Sequence, residues 1–67
     1  MTRQVAKVIC NGEYKIMVNT DRFTDGSGKP PYYITFSEPW SRSRKQIRKC
    51  NSIHEALGVL ANILIQY

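Results

Sequence analysis

The feature that most constrains this chain is Asn11-Gly12, set between two runs of strand-forming residues. Both residues tolerate the positive φ that a tight type I′ hairpin turn requires, and the pair is the strongest short-range hairpin signal. On its far side Glu13–Asn19 alternates without a break. Tyr14, Ile16 and Val18 share one face, and Glu13, Lys15, Met17 and Asn19 share the other. The near side, residues 3–10, is rich in β-branched residues. The chain therefore opens with a β-hairpin of strands at about 3–10 and 13–19.

Residues 20–31 are dense in Asp, Gly, Ser and Pro and read as an exposed loop, with Pro30 and Pro31 holding the chain extended at its end. A third strand follows at 32–37, where Tyr32, Ile34 and Phe36 alternate with Tyr33, Thr35 and Ser37, and Pro39 stops it. Residues 44–50 form a fourth. Strict alternation sorts Arg44, Gln46, Arg48 and Cys50 onto one face and Lys45, Ile47 and Lys49 onto the other. Both faces carry cations, which places this strand at an edge, where charge deters wrong pairing.

Ser52 then caps a helix over about 53–66, and Glu55 three residues on completes a capping box. His54, Gly58, Asn62 and Gln66, spaced by four with Glu55 beside them, form one narrow polar stripe. The other positions, Ile53, Ala56, Leu57, Val59, Leu60, Ala61, Ile63, Leu64, Ile65 and Tyr67, are apolar. That arc is wider than one sheet covers, so a second side is expected to face another subunit. The expected fold is α+β: a single domain over 1–67, a three- or four-stranded antiparallel β-sheet followed by one C-terminal α-helix (ββββα or βββα).

At 67 residues such a domain buries only about 60% of its unfolded surface and leans on disulfides, metals or partners. Two cysteines, Cys10 and Cys50, and one histidine fall short of a structural zinc set. Residues 1–10 have no secretory pattern, and the apolar C-terminal segment, interrupted by Gly58, Asn62 and Gln66, is too short to span a bilayer. The expectation is a cytoplasmic protein with reduced thiols and no membrane partner.

The motifs that suggest enzymes fail on their chemistry. Residues 23–28, FTDGSG, resemble the first-strand signature of ribonuclease H nucleases, but two-metal catalysis needs converging carboxylates and the chain has five acidic residues in all. An EF-hand over Asp21 and Asp25 fails at Phe23 and Tyr32, and Lys29 is followed by Pro30, which no P-loop allows. The single histidine is remote in sequence from both cysteines. No catalysis, metal or cofactor is expected.

Charge points elsewhere. Ten Lys and Arg against five Asp and Glu give a net charge of +5, which favours polyanionic partners. Arg42, Arg44, Lys45, Arg48 and Lys49 crowd into one acid-free segment beside Trp40. Cations neutralise phosphates and exposed aromatics stack on bases. Trp40 plugging the core beside a merely solvated edge is the competing reading.

Gly12, Tyr14, Ile16 and Val18, then Gly28-Lys29, a basic strand, and a Ser-capped helix with Glu55-Ala56 in its first turn resemble the arm-site DNA-binding domain at the N-terminus of many phage and transposon tyrosine recombinases. The resemblance covers roughly residues 3–64 and implies a sheet face that enters the major groove. It departs from that family in offering two strands, at 32–37 and 44–50, where one is usual, and in having Cys50-Asn51 where an aromatic precedes the cap. The four-strands-then-helix order is also similar to dimeric single-strand-binding transcriptional coactivators, whose helix makes the dimer.

The function expected is non-catalytic nucleic-acid binding, DNA ahead of RNA, as a homodimer through the C-terminal helix. Arg42, Arg44, Lys45, Arg48 and Lys49 would meet phosphates, Lys15 and Lys29 would contribute, and Trp40 or Tyr33 would stack. The alternative is a small phage or mobile-element protein that binds and inhibits a host protein, as anti-CRISPR and anti-restriction proteins do.

Overall fold

A computed structural model of the chain describes residues 1–24, 26 and 28–66. Asp25, Ser27 and Tyr67 lie outside the described residues, and so do the readings of the loop motifs and helix end that rest on them. The elements run β1 (Thr2–Ile9), β2 (Glu13–Asn19), a 3-10 turn (Thr20–Phe23), β3 (Tyr32–Ser37), β4 (Lys45–Cys50) and α1 (Ile53–Ile65). The strands form one antiparallel sheet in the order β1-β2-β3-β4, so the fold is ββββα. β4 stands at an edge, as its two-sided charge requires.

The first hairpin differs from a two-residue type I′ turn. Ile9 opposes Glu13, which leaves Cys10, Asn11 and Gly12 in the loop, closed by Cys10 N–H donating to the Gly12 carbonyl at 2.9 Å. Asn11 takes the left-handed region at φ 52° and Gly12 follows at φ 148°. Packing as well as turn geometry demands this glycine, because a Cβ there would run into the Phe36 ring and the Ser37 carbonyl.

The core follows from the alternation. Ile16 and Ile34 oppose each other across β2 and β3 with no exposed surface, and the Tyr14 and Phe36 rings meet beside them at 4.6 Å. Cys50, Ala56 and Leu60 close the cluster from β4 and α1. Burying each large aliphatic chain is worth about 1.5–3 kcal/mol, which makes this small cluster the main source of stability. The cap that sets α1 is in place: Ser52 Oγ accepts from Glu55 N–H at 3.1 Å. Glu55 Oε2 in turn accepts from Asn51 N–H at 2.6 Å, one residue before the cap itself.

α1 lies over β3 and β4, leaving the opposite face of the sheet without a second layer. The chain is accordingly a slab only 15 Å deep in its thinnest direction. Ala56 and Leu60 point into the sheet, while Leu57, Ala61 and Ile65, four residues apart, form an exposed apolar stripe on the outer side of α1.

Two irregularities change what the faces carry. In β1 the register skips Val5 between Gln4 and Ala6. In β4 it skips Ile47, since Ile34 faces Arg48 while Thr35 faces Gln46. Such a bulge reverses the alternation beyond it. Strict alternation over 44–50 is therefore incorrect: Gln46 and Arg44 share the uncovered face with Lys49, while Lys45 and Arg48 fall on the helix side with Cys50.

Candidate nucleic-acid interface

The uncovered face is read by register across the four strands. One row runs Gln4, Met17, Tyr33, Lys49, and the next runs Lys7, Lys15, Thr35, Gln46. Met17 and Tyr33 are half-buried in the floor of the face, with Lys7 and Lys49 exposed on either side. Lys7 and Lys15 stand directly opposite each other, and like charges in that position destabilise an antiparallel pair. The Glu13 carboxylate, 3.3 Å from Lys15 Nζ, already offsets part of that repulsion.

At one end of the face Glu13 gathers the other cationic groups. Lys15 Nζ lies 3.3 Å from Glu13 Oε1, and Arg44 NH2 pairs with the same oxygen. Arg44 NH1 donates to Thr35 Oγ1 at 3.0 Å and to the Glu13 carbonyl at 3.3 Å, so the guanidinium lies over β3 and β2. Lys15 chiefly, with Arg44 adding, holds the Glu13 carboxyl below its ordinary value against the opposing effect of burial.

The structure gathers some of the residues singled out in the sequence and separates others. Lys15, Tyr33, Arg44 and Lys49 share the uncovered face. Lys45 and Arg48 line the β4 edge toward the helix side, and Arg42 is exposed in the loop that enters β4. Lys29 is exposed in the loop leading to β3, at the opposite end of the sheet from Arg42. Trp40 does not plug the core; it is 82% exposed in the turn after β3. Lys7 was not among the expected residues. Its signal was available in the alternation of Lys7 with Ala6 and Val8, but only pairing with β2 brings it abreast of Lys15.

Beside Glu13, at the ends of β1, β2 and β3, lies a cleft of about 290 Å³ walled by Ile9, Pro39, Glu38 and Arg44. The turn that forms one wall is held by Ser41 N–H donating to the Glu38 carbonyl at 3.1 Å and by Ser37 Oγ donating to the Ser41 carbonyl at 3.2 Å.

Groups that could support catalysis lie elsewhere. His54 is exposed in the first turn of α1, and Cys50 is buried beneath the helix. Burial, with Glu55 adding, pushes the Cys50 thiol up, which disfavours the reactive thiolate. Both cysteines are free thiols. Among the described residues no group of three or more His, Cys, Asp or Glu side chains could hold a metal ion, and no helix is long and apolar enough to cross a membrane. No protein-family model, no curated protein and no solved structure matches this chain.

Proposed function

We propose that this protein binds nucleic acid, without catalysis, across the uncovered face of its sheet. The observation that carries the reading is the Lys7–Lys15 pair, abreast on neighbouring strands and followed along the face by Tyr33 and Lys49. Lys7 and Lys49 would contact phosphates, with Lys15 contributing while shared with Glu13, and a base would lie on Tyr33 with Met17 beside it. Arg42, Lys45 and Arg48 extend the positive field around the β4 edge. Arg44, already bound to Glu13 and Thr35, anchors the end of the face rather than meeting phosphate freely. Relief of the remaining lysine repulsion and release of counterions would both favour a bound polyanion.

The same reading makes the active species a dimer. Residues 56–66 carry no charged side chain, so Leu57, Ala61 and Ile65 on the outer side of α1 form a surface where two cationic chains can meet without repulsion. Two helices packed there would leave both lysine faces outward.

The test is fluorescence anisotropy with labelled duplex DNA, single-stranded DNA and RNA at low and moderate salt, using the wild type and Lys7→Ala/Lys15→Ala/Lys49→Ala. Micromolar binding that fades with salt and with the triple substitution supports the reading. A folded sample that binds none of the three at low salt refutes it and turns attention to an acidic protein partner.

A further inference from the structure

The cleft beside Glu13 has a chemistry unlike the lysine rows it adjoins. Four carboxylates are described in the structure, and three are engaged. Asp21 holds the N-terminal ammonium, Glu13 holds Lys15 and Arg44, and Glu55 caps α1. The side-chain carboxylate of Glu38, in the wall of the cleft, receives no donor or cation from the described residues. With Glu13 beside it, this concavity carries two carboxylates, of which Glu13 is matched by Arg44 and Lys15, whereas Glu38 is not matched. The Glu38 carboxylate therefore offers an acceptor to a donor group, unlike the lysine rows around it.

The remaining walls suit a flat, partly apolar group. Ile9 and Pro39 line the cleft. Trp40, between Pro39 and Ser41 in the same turn, is 82% exposed, and Ile9 is 72% exposed. Ile9 thus offers an exposed apolar wall to the concavity, while Trp40 lies in the adjoining turn and is not part of the lining. The cleft's 290 Å³ lies just under the range of small-ligand sites, which run from about 300 Å³ upward, the scale of a single ring system.

We propose that the cleft takes one unpaired nucleobase bearing an exocyclic amino group, with the Glu38 carboxylate accepting from that amino group and Ile9 and Pro39 flanking the ring. An ionised carboxylate only accepts hydrogen bonds. Cytosine presents its N4 amino group and adenine its N6 amino group, whereas thymine sets carbonyl oxygens at the corresponding edge. Lys15 Nζ is 3.3 Å from Glu13 Oε1, so the cleft is continuous with the lysine rows. A chain whose phosphates rest on Lys7 and Lys15 brings a neighbouring base to its mouth. This inference rests on the nucleic-acid reading and adds a base preference with a named residue behind it.

The experiment compares equal-length single-stranded oligo(dC), oligo(dA) and oligo(dT) at one low salt concentration, with the wild type and Glu38→Ala. Trp40, the only tryptophan in the chain, reports directly by its fluorescence. The wild type should bind oligo(dC) and oligo(dA) about tenfold more tightly than oligo(dT), with Trp40 quenched most by the first two. Glu38→Ala removes a negative charge and raises all three affinities, so the readout is their ratio, which should fall to about one. Equal wild-type binding to the three, or a preference that survives Glu38→Ala, overturns this inference alone. Absence of binding to any of them overturns the nucleic-acid reading together with it.

Discussion

Replacing Lys7 by glutamate should stabilise the fold and weaken binding, a pair of opposite effects that few surface substitutions produce. Lys7 is exposed on β1 and directly opposes Lys15 on β2. Cross-strand pairs contribute roughly 0.2–1 kcal/mol, with like charges unfavourable by similar amounts. Reversing one charge removes a repulsion and creates an attraction. The gain is limited because Lys15 already shares Glu13 and because glutamate is a weaker strand former than most. A net stabilisation of about 0.5–1 kcal/mol is expected, and for a domain of this size that raises Tm by roughly 2–8 °C. Binding should move the other way, since a phosphate contact is replaced by a repulsive carboxylate. The slope of log affinity against log salt should shrink by at least the roughly 0.7–0.9 that one phosphate contributes. Circular-dichroism melts at two salt concentrations and anisotropy titrations on the same samples read both effects, and the stability gain should diminish at higher salt. A Tm equal to or below that of the wild type would refute the close opposition of Lys7 and Lys15. A raised Tm with unchanged binding would instead refute the uncovered face as the interface.

Further substitutions test other parts of the structure. Ile16→Ala removes a side chain with no exposed surface and should cost about 2–5 kcal/mol, enough to abolish a cooperative melt in a domain this small; a loss under 1 kcal/mol, roughly the scale of a surface change, would contradict the core described. Glu13 has its carboxyl held below the ordinary value of 4.5 in the folded state, so its contribution is present above that value and lost as pH falls through the lower folded value. The stability difference between wild type and Glu13→Gln should therefore narrow on acidification in that range, and a difference independent of pH in acid melts would refute the Lys15 and Arg44 contacts. Leu57→Glu places a charge in the exposed stripe of α1 and should convert a dimer to a folded monomer by analytical ultracentrifugation; a dimer of unchanged affinity would exclude that stripe as the interface.

The local grammar of the fold was legible in the residues themselves. Tyr14, Ile16 and Val18 announced the buried face of β2, Pro39 the end of β3, and Ser52 with Glu55 the start of α1, because alternation, ring closure and capping act over a few neighbouring residues. The two-sided charge of residues 44–50 likewise announced an edge strand. The site was legible only in part. Lys15, Tyr33 and Lys49 were identifiable as types, but Lys7 entered the site through its pairing with β2, and Arg44 reached Glu13 and Thr35 through the skipped residue at Ile47. The three-residue hairpin loop and the glycine pressed against Phe36 arose in the same way. A β-strand reverses every face when its register moves by one residue, and register is chosen by a partner strand and the core beneath it. The sequence by itself determined the number, kind and apolar faces of the elements, whereas the tertiary structure decided which cations share a surface, because that depends on contacts between residues far apart in the chain.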